Sequence, residues 1–295
     1  MFKNFSNYTG VALLRFLASL PYKTLVSLGY GLGYLASHIP NDRNRVVQKN
    51  LELCFPELSA QKIDQLRKQH WRLLGRSLVE KSIIWLGSKK QLSNMIEVQS
   101  EVDLADRKPR ILVNMHFVGI EGSIILSALA KDKGWPRTSG FFQRMKSPFF
   151  NQKIVEWRNR FGGNSIDRQG NSIALIREIH KGSFIIIAPD IDLGLKDSAF
   201  VPFFNIPTNT ITAVSRLAKI TGAQVCMMIT TLKKNEAGYI CSISKPLENF
   251  PTDNPEADTA RLNQIFEQEI RLRPAEYYWV HKRFKNRPFN EVSPY

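Results

Sequence analysis

Cysteine is scarce in this chain. Its 295 residues hold only three, Cys54, Cys226 and Cys241, and no two form a CxxC pair. That excludes a disulfide-built scaffold and suits a reducing compartment, where the three read as small buried hydrophobes. Histidine is sparse too: His38, His70, His116, His180 and His281 lie far apart, and none shows metal-ligand spacing. A clean run of the about 20 apolar residues that a spanning helix needs is also missing. From Thr9 to Ile39 the chain is mostly apolar, but Arg15, Pro21 and Lys23 interrupt it, and Gly29, Gly31 and Gly33 fall within Thr24–Ile39. No polar flank with a small-residue cleavage site follows, so the segment is a poor signal peptide. Three readings stand for it: an interfacial hydrophobic anchor, a short or tilted span, or a buried pair of helices. A membrane anchor is preferred, because Arg15 and Lys23 can snorkel to phosphates at a membrane surface. Residues 1–40 then form an anchoring segment and residues 41–295 the folded domain.

Acidic residues are outnumbered. Forty-one Lys and Arg face 26 Asp and Glu, a formal charge of +15. Such a surface attracts something anionic: nucleic acid, lipid headgroups or an acidic protein. A hydrophobic fraction of 43% with 23% charged residues excludes a disordered chain, and the length allows a sizeable core.

Beyond Pro40 the periodicity predicts helices through Val46, Val47, Asn50, Leu51 and Cys54, and from the capping Ser59 to Leu86. His70 falls on the apolar stripe of the second and reads as structural. From Arg110 the pattern alternates. Strands are expected at Ile111–Val113, Thr138–Gln143, Ser165–Asp167, Phe184–Ala188, Val225–Thr230 and Tyr239–Ile243. Helices are expected at Ile120–Lys131, Pro148–Phe161, Asn171–Gly182, Thr210–Ile220 and Ala257–Leu272. The alternation argues for an α/β fold, with a mostly parallel central sheet flanked by helices and preceded by the N-terminal hydrophobic helical membrane anchor.

Chemistry can sit just past the C-terminal ends of those strands. His116 follows the first strand and Glu121 opens the next helix. Across a turn, that spacing lets a carboxylate orient an imidazole, which then takes a proton from an alcohol as general base. The pattern alone is equally that of a loop histidine and a glutamate favoured by the helix dipole. Asp190 and Asp192, in Ala188-Pro189-Asp190-Ile191-Asp192-Leu193-Gly194, follow the Phe184–Ala188 strand. They suit a hydroxyl-rich headgroup, a cation, or simply a turn. Arg144 and Arg168 follow two further strands, where arginine binds phosphate in bidentate fashion. The stretch Trp279-Val280-His281-Lys282-Arg283-Phe284-Lys285-Asn286-Arg287 mixes aromatics with cations. It suits a lipid surface, an acidic carrier, nucleic acid or a solvated tail.

In order and spacing these features resemble one family. His116…Glu121, Arg144, Ser165-Ile166-Asp167-Arg168, the 188–194 loop, Phe200-Val201-Pro202-Phe203-Phe204, Ile206-Pro207-Thr208 and Tyr277–Pro288 are similar to the late acyltransferases of lipid A biosynthesis, the lauroyl/myristoyl group of the glycerolipid acyltransferase-like superfamily. The resemblance covers nearly the whole chain. It implies transfer of an acyl chain from acyl carrier protein onto a hydroxyl of a phosphorylated lipid A precursor, at the cytoplasmic face of the cell inner membrane and among its lipids. It calls for no cofactor, no metal and no nucleic acid. His116 and Glu121 match the catalytic dyad. Arg144, Arg168, Asp190 and Asp192 match motif positions and are assigned to headgroup or phosphate binding. Two alternatives stand beside this reading: acylation of another phosphorylated lipid, such as a glycerophosphate or a mannosylated inositol lipid, and a basic membrane- or nucleic-acid-binding protein without catalysis.

Overall fold

Pro21 divides the first apolar stretch into two helices, because proline has no N–H to donate and clashes with the preceding turn. In the computed structural model, which describes residues 2–168 and 173–295, these are α1 (Phe2–Ser19) and α2 (Tyr22–His38). Helix α3 (Asp42–Cys54) starts where Asn41 accepts from the Asn44 amide, and α4 (Ala60–Leu86) where Ser59 accepts from that of Lys62. A short α5 (Lys89–Met95) leads into β1 (Ile96–Ser100). The alternating part runs β2 (Arg110–Val113), α6 (Gly122–Lys133), β3 (Thr138–Phe142), α7 (Pro148–Asn159), β4 (Asn164–Asp167), α8 (Ile173–His180) and β5 (Phe184–Ile187). There follow β6 (Ser198–Phe203), β7 (Ile206–Ile211), α9 (Ala213–Thr221), β8 (Gln224–Leu232), β9 (Tyr239–Pro246) and α10 (Pro255–Leu272).

Seven strands form one sheet in the order β1-β9-β8-β2-β5-β3-β4. Every neighbouring pair is parallel except β8 with β9. The sheet separates two cores. Ile111 and Val113 of β2 join residues of α3, α9 and α10, whereas Leu112 faces those of α4 and α6. That is the two-residue period of a strand buried on both faces. His70 is fully buried, and Cys54, Cys226 and Cys241 are buried and unbridged.

The N-terminal membrane anchor is corrected. Among the described residues no helix is long and apolar enough to cross a membrane. Instead, α2 lays its glycine face on α4: Gly29 and Gly33 are buried, and a Cβ on Gly33 would come within 2.7 Å of Arg72 Cα. The segment thus packs as a helix pair of the body. A second correction concerns Thr210–Ile220. Its first residues belong to β7, which pairs with β6 in a separate two-stranded ribbon, and the helix begins only at Ala213. The expected helix start at Asn171 lies outside the described residues.

Candidate active site

Strands β2, β5, β3 and β4 are parallel neighbours, so their C-terminal ends share one edge of the sheet. That edge opens into a cleft of about 1320 Å³. His116, Glu121, Arg168 and Asp192 all line it.

The adjacency of β2 and β5 decides which carboxylate meets His116. Asp190, fully buried, accepts from the His116 amide through Oδ2 at 2.8 Å and bonds His116 Nδ1 through Oδ1 at 2.7 Å. Burial alone would push the Asp190 carboxyl up, but the His116 imidazole and amide beside it, with Arg283 further off, hold it below the usual carboxylate range. An ionised carboxylate only accepts. Nδ1 of His116 therefore carries a proton, and in the neutral ring Nε2 presents its lone pair. Tyr277 Oη donates to the Asp190 carbonyl at 2.9 Å, locking the loop.

Glu121 sits at the first turn of α6 without capping it. No hydrogen bond joins it to His116 among the described residues, and its Oε2 is buried without a partner. Asp192 is engaged internally: Oδ1 accepts from the Gly194 amide at 3.0 Å, Asn209 Nδ2 at 3.0 Å and Asn286 Nδ2 at 2.8 Å. Arg168 reaches from the cleft to the Leu193 carbonyl at 3.4 Å. Arg144 is not among the lining residues; its side chain, 62% exposed, pairs with Asp167. The structure thus brings His116, Glu121, Arg168 and Asp192 to one cleft, sets Asp190 behind His116, and leaves Arg144 outside the wall.

The aromatic and basic segment near the chain's end is anchored by three buried residues. Trp279, Arg283 and Phe284 are core residues, and Arg283 donates to the Asn209 carbonyl and to Thr210 Oγ1, both at 2.6 Å. Tyr278, His281 and Lys285 of the same segment turn to the cleft. His281 gives no signal of its own in the sequence, where it reads as part of a charged stretch. Arg43, Lys81, Arg158 and Lys196, from four distant parts of the chain, add cations to the lining. Leu74, Leu78, Phe117, Ile124, Phe141 and Ile186 supply apolar wall. Chemically, the cleft offers a basic imidazole, two kinds of carboxylate, cationic walls and a lipophilic surface.

Residues 1–286 match the family model described as bacterial lipid A biosynthesis acyltransferase. The chain is 31% identical over 299 residues to the lipid A biosynthesis palmitoleoyltransferase of Escherichia coli (strain K12), covering 97% of this chain and 93% of that protein. It is 29% identical to the lauroyltransferase of the same organism, covering 98% and 94%. With the E. coli myristoyltransferase it shares 22% identity, covering 98% and 89%.

Proposed function

The chain belongs to the bacterial lipid A biosynthesis acyltransferase family and is an acyltransferase, and on that premise we propose that it carries a fatty acyl chain from acyl carrier protein to a hydroxyl of a phosphorylated lipid A precursor. The observation that carries this reading is the 2.7 Å bond between His116 Nδ1 and the buried Asp190 carboxylate, beside a cleft walled by cations and apolar side chains. It leaves Nε2 of His116 as a base. The acceptor hydroxyl gives its proton to Nε2 while its oxygen attacks the thioester carbonyl carbon. Collapse of the tetrahedral species re-forms the C=O and expels the carrier's thiolate, which recovers the proton from the imidazolium.

Asp190 holds the ring's tautomer and orientation, the part expected of Glu121. Glu121 is the second carboxylate of the pair. Its unpartnered buried oxygen favours positive charge nearby, hence the imidazolium of the transition state. Arg43, Lys81, Arg158, Arg168, Lys196 and Lys285 suit the acceptor's phosphates. Arg144, exposed beyond the wall, suits the rim where carrier or headgroup arrives, and Asp192 positions the loop that bears Asp190. The acceptor is a lipid, so the encounter belongs at a membrane surface, here assigned to the cytoplasmic face of the inner membrane.

Acyl transfer from acyl carrier protein, followed by mass spectrometry with a lipid A precursor or a glycerophosphate as acceptor, tests the proposal. His116→Ala is expected to abolish transfer. Asp190→Asn, which fits the site but stabilises the wrong tautomer, should lower kcat by roughly 10²–10⁴-fold. Glu121→Gln should lower kcat less, with its pH profile displaced. Full activity in His116→Ala, or transfer to the glycerophosphate alone, would sink the proposal.

A further inference from the structure

The Asp192 amide donates to Nε2 of His281 at 3.0 Å. A backbone amide can only donate, so Nε2 must offer its lone pair and the proton of the neutral ring must sit on Nδ1. Burial, then Lys285 and Arg283, push the His281 imidazolium down to about 4, so at neutral pH the ring stays in this one tautomer. Nδ1–H has no partner among the described residues, and the ring lines the cleft that also holds His116. Two imidazoles therefore line one cleft, and as neutral rings in these tautomers they make opposite offers: His116 a lone pair, His281 an N–H.

The frame around them is fixed. The Tyr278 amide donates to the His116 carbonyl at 2.8 Å, and the Val118 amide to that of Glu276 at 2.9 Å. Asn50 Nδ2 holds both the Trp279 carbonyl, at 2.7 Å, and the His281 carbonyl, at 2.8 Å. Trp279, Arg283 and Phe284 anchor the turn from both sides in the core. A donor held in this way needs no reorganisation when charge develops, which is where a hydrogen bond contributes most to a rate.

We propose that His281 is a catalytic residue: its Nδ1–H donates to the acyl carbonyl oxygen as that oxygen becomes an oxyanion. The inference rests on the acyl-transfer reading above. As the acceptor oxygen bonds to the carbonyl carbon, the C=O π pair moves onto oxygen and is met by Nδ1–H. On collapse the pair returns, the C–S bond breaks, and His281 keeps its proton throughout. His116 alone carries the proton from alcohol to thiolate.

Two substitutions separate this role from a structural one. Glutamine can accept from the Asp192 amide with its carbonyl and donate with its NH₂; leucine does neither. With acyl carrier protein as donor and a lipid A precursor as acceptor, His281→Leu is expected to lose roughly 10²–10³-fold in kcat. Each KM should move less than about threefold, and His281→Gln should recover at least about tenfold of the loss. Should His281→Leu melt early, His281→Glu replaces it, since glutamate keeps the acceptor for the amide and lacks the donor; its kcat must then fall well below that of His281→Gln. Unchanged kcat in the donor-less variant, or a change confined to the acceptor KM, overturns the proposal, the latter by making His281 a headgroup contact. Equal kcat in the glutamine and donor-less variants overturns it as well. Inactive wild-type protein would instead condemn the acyl-transfer reading, so the two failures are distinguishable.

Discussion

His70 and Glu178 set opposite ends of one acid response. His70 is fully buried, its Nδ1 bonded to the Ala275 carbonyl at 3.2 Å and its Nε2 unpartnered. Burial pushes its pKa from 6.5 down to about 4, against the small lift of that carbonyl. Between those values the unfolded chain binds a proton that the fold refuses. The contribution of His70 is therefore whole above 6.5 and drains away as pH falls toward 4, by at most roughly 1.4 kcal/mol per pH unit. Burial would raise Glu178, but Arg137, Lys181, Ser139 and Ser183 bond its carboxylate and bring it from 4.5 to about 2. Its contribution is present above 4.5 and is lost below that, so acid weakens the protein in two successive stages. Urea unfolding at pH 7, 5 and 4 should show the first stage in the wild type and a flatter course in His70→Phe. Equal slopes in both would mean that other groups govern that limb. The structural part of His70 is legible in the sequence, because Leu66, His70 and Leu73 share one helical stripe. The partner of His116 is not: 74 residues separate it from Asp190, and only the sheet order makes them neighbours.

Among the elements, short runs of branched apolar residues mark β2, β5 and β8 plainly, and the cap Ser59 marks the start of α4. The β6–β7 ribbon is hidden for a physical reason. Pro202 and Pro207 face each other across it, and its turn residues Phe204 and Asn205 both take positive φ, 50° and 60°. A two-residue turn of this kind favours Asn and Gly, so a Phe at its first position removes the usual signal. The α2–α4 contact is hidden too, since its glycines read equally as an interruption of an apolar run. There the prediction is one of contrast. Gly33→Ala should cost ~1–3 kcal/mol, because its Cβ would meet the α4 backbone. Gly31→Ala, with nothing within 4 Å, should stabilise by about 0.5–1 kcal/mol through lost backbone entropy. Melting temperatures check both; a harmless Gly33→Ala would mean the helices do not cross this closely.

At the scale of the whole molecule, the +15 charge is concentrated in function by a cleft to which six Lys and Arg residues turn. Long-range attraction to an acidic carrier is screened by salt over about 10 Å at 0.1 M. On the proposal that acyl carrier protein is the donor, its kcat/KM should fall by roughly tenfold or more between low and high salt, whereas a small uncharged acyl thioester should lose far less. Equal losses would assign the charge to the lipid acceptor alone. The overall charge and the α/β alternation are open to reading in the sequence. The convergence of Arg43, Lys81, Arg158, Lys196 and Lys285 is not, because it depends on how distant segments return to one edge. The return of residues 277–286 matters most for timing. Tyr278, His281 and Lys285 are a wall of the cleft, and Asn50 grips the Trp279 and His281 carbonyls among them. A chain still being translated therefore lacks this wall of the cleft, and the Tyr277 bond to the Asp190 loop, until residues 277–286 have been made.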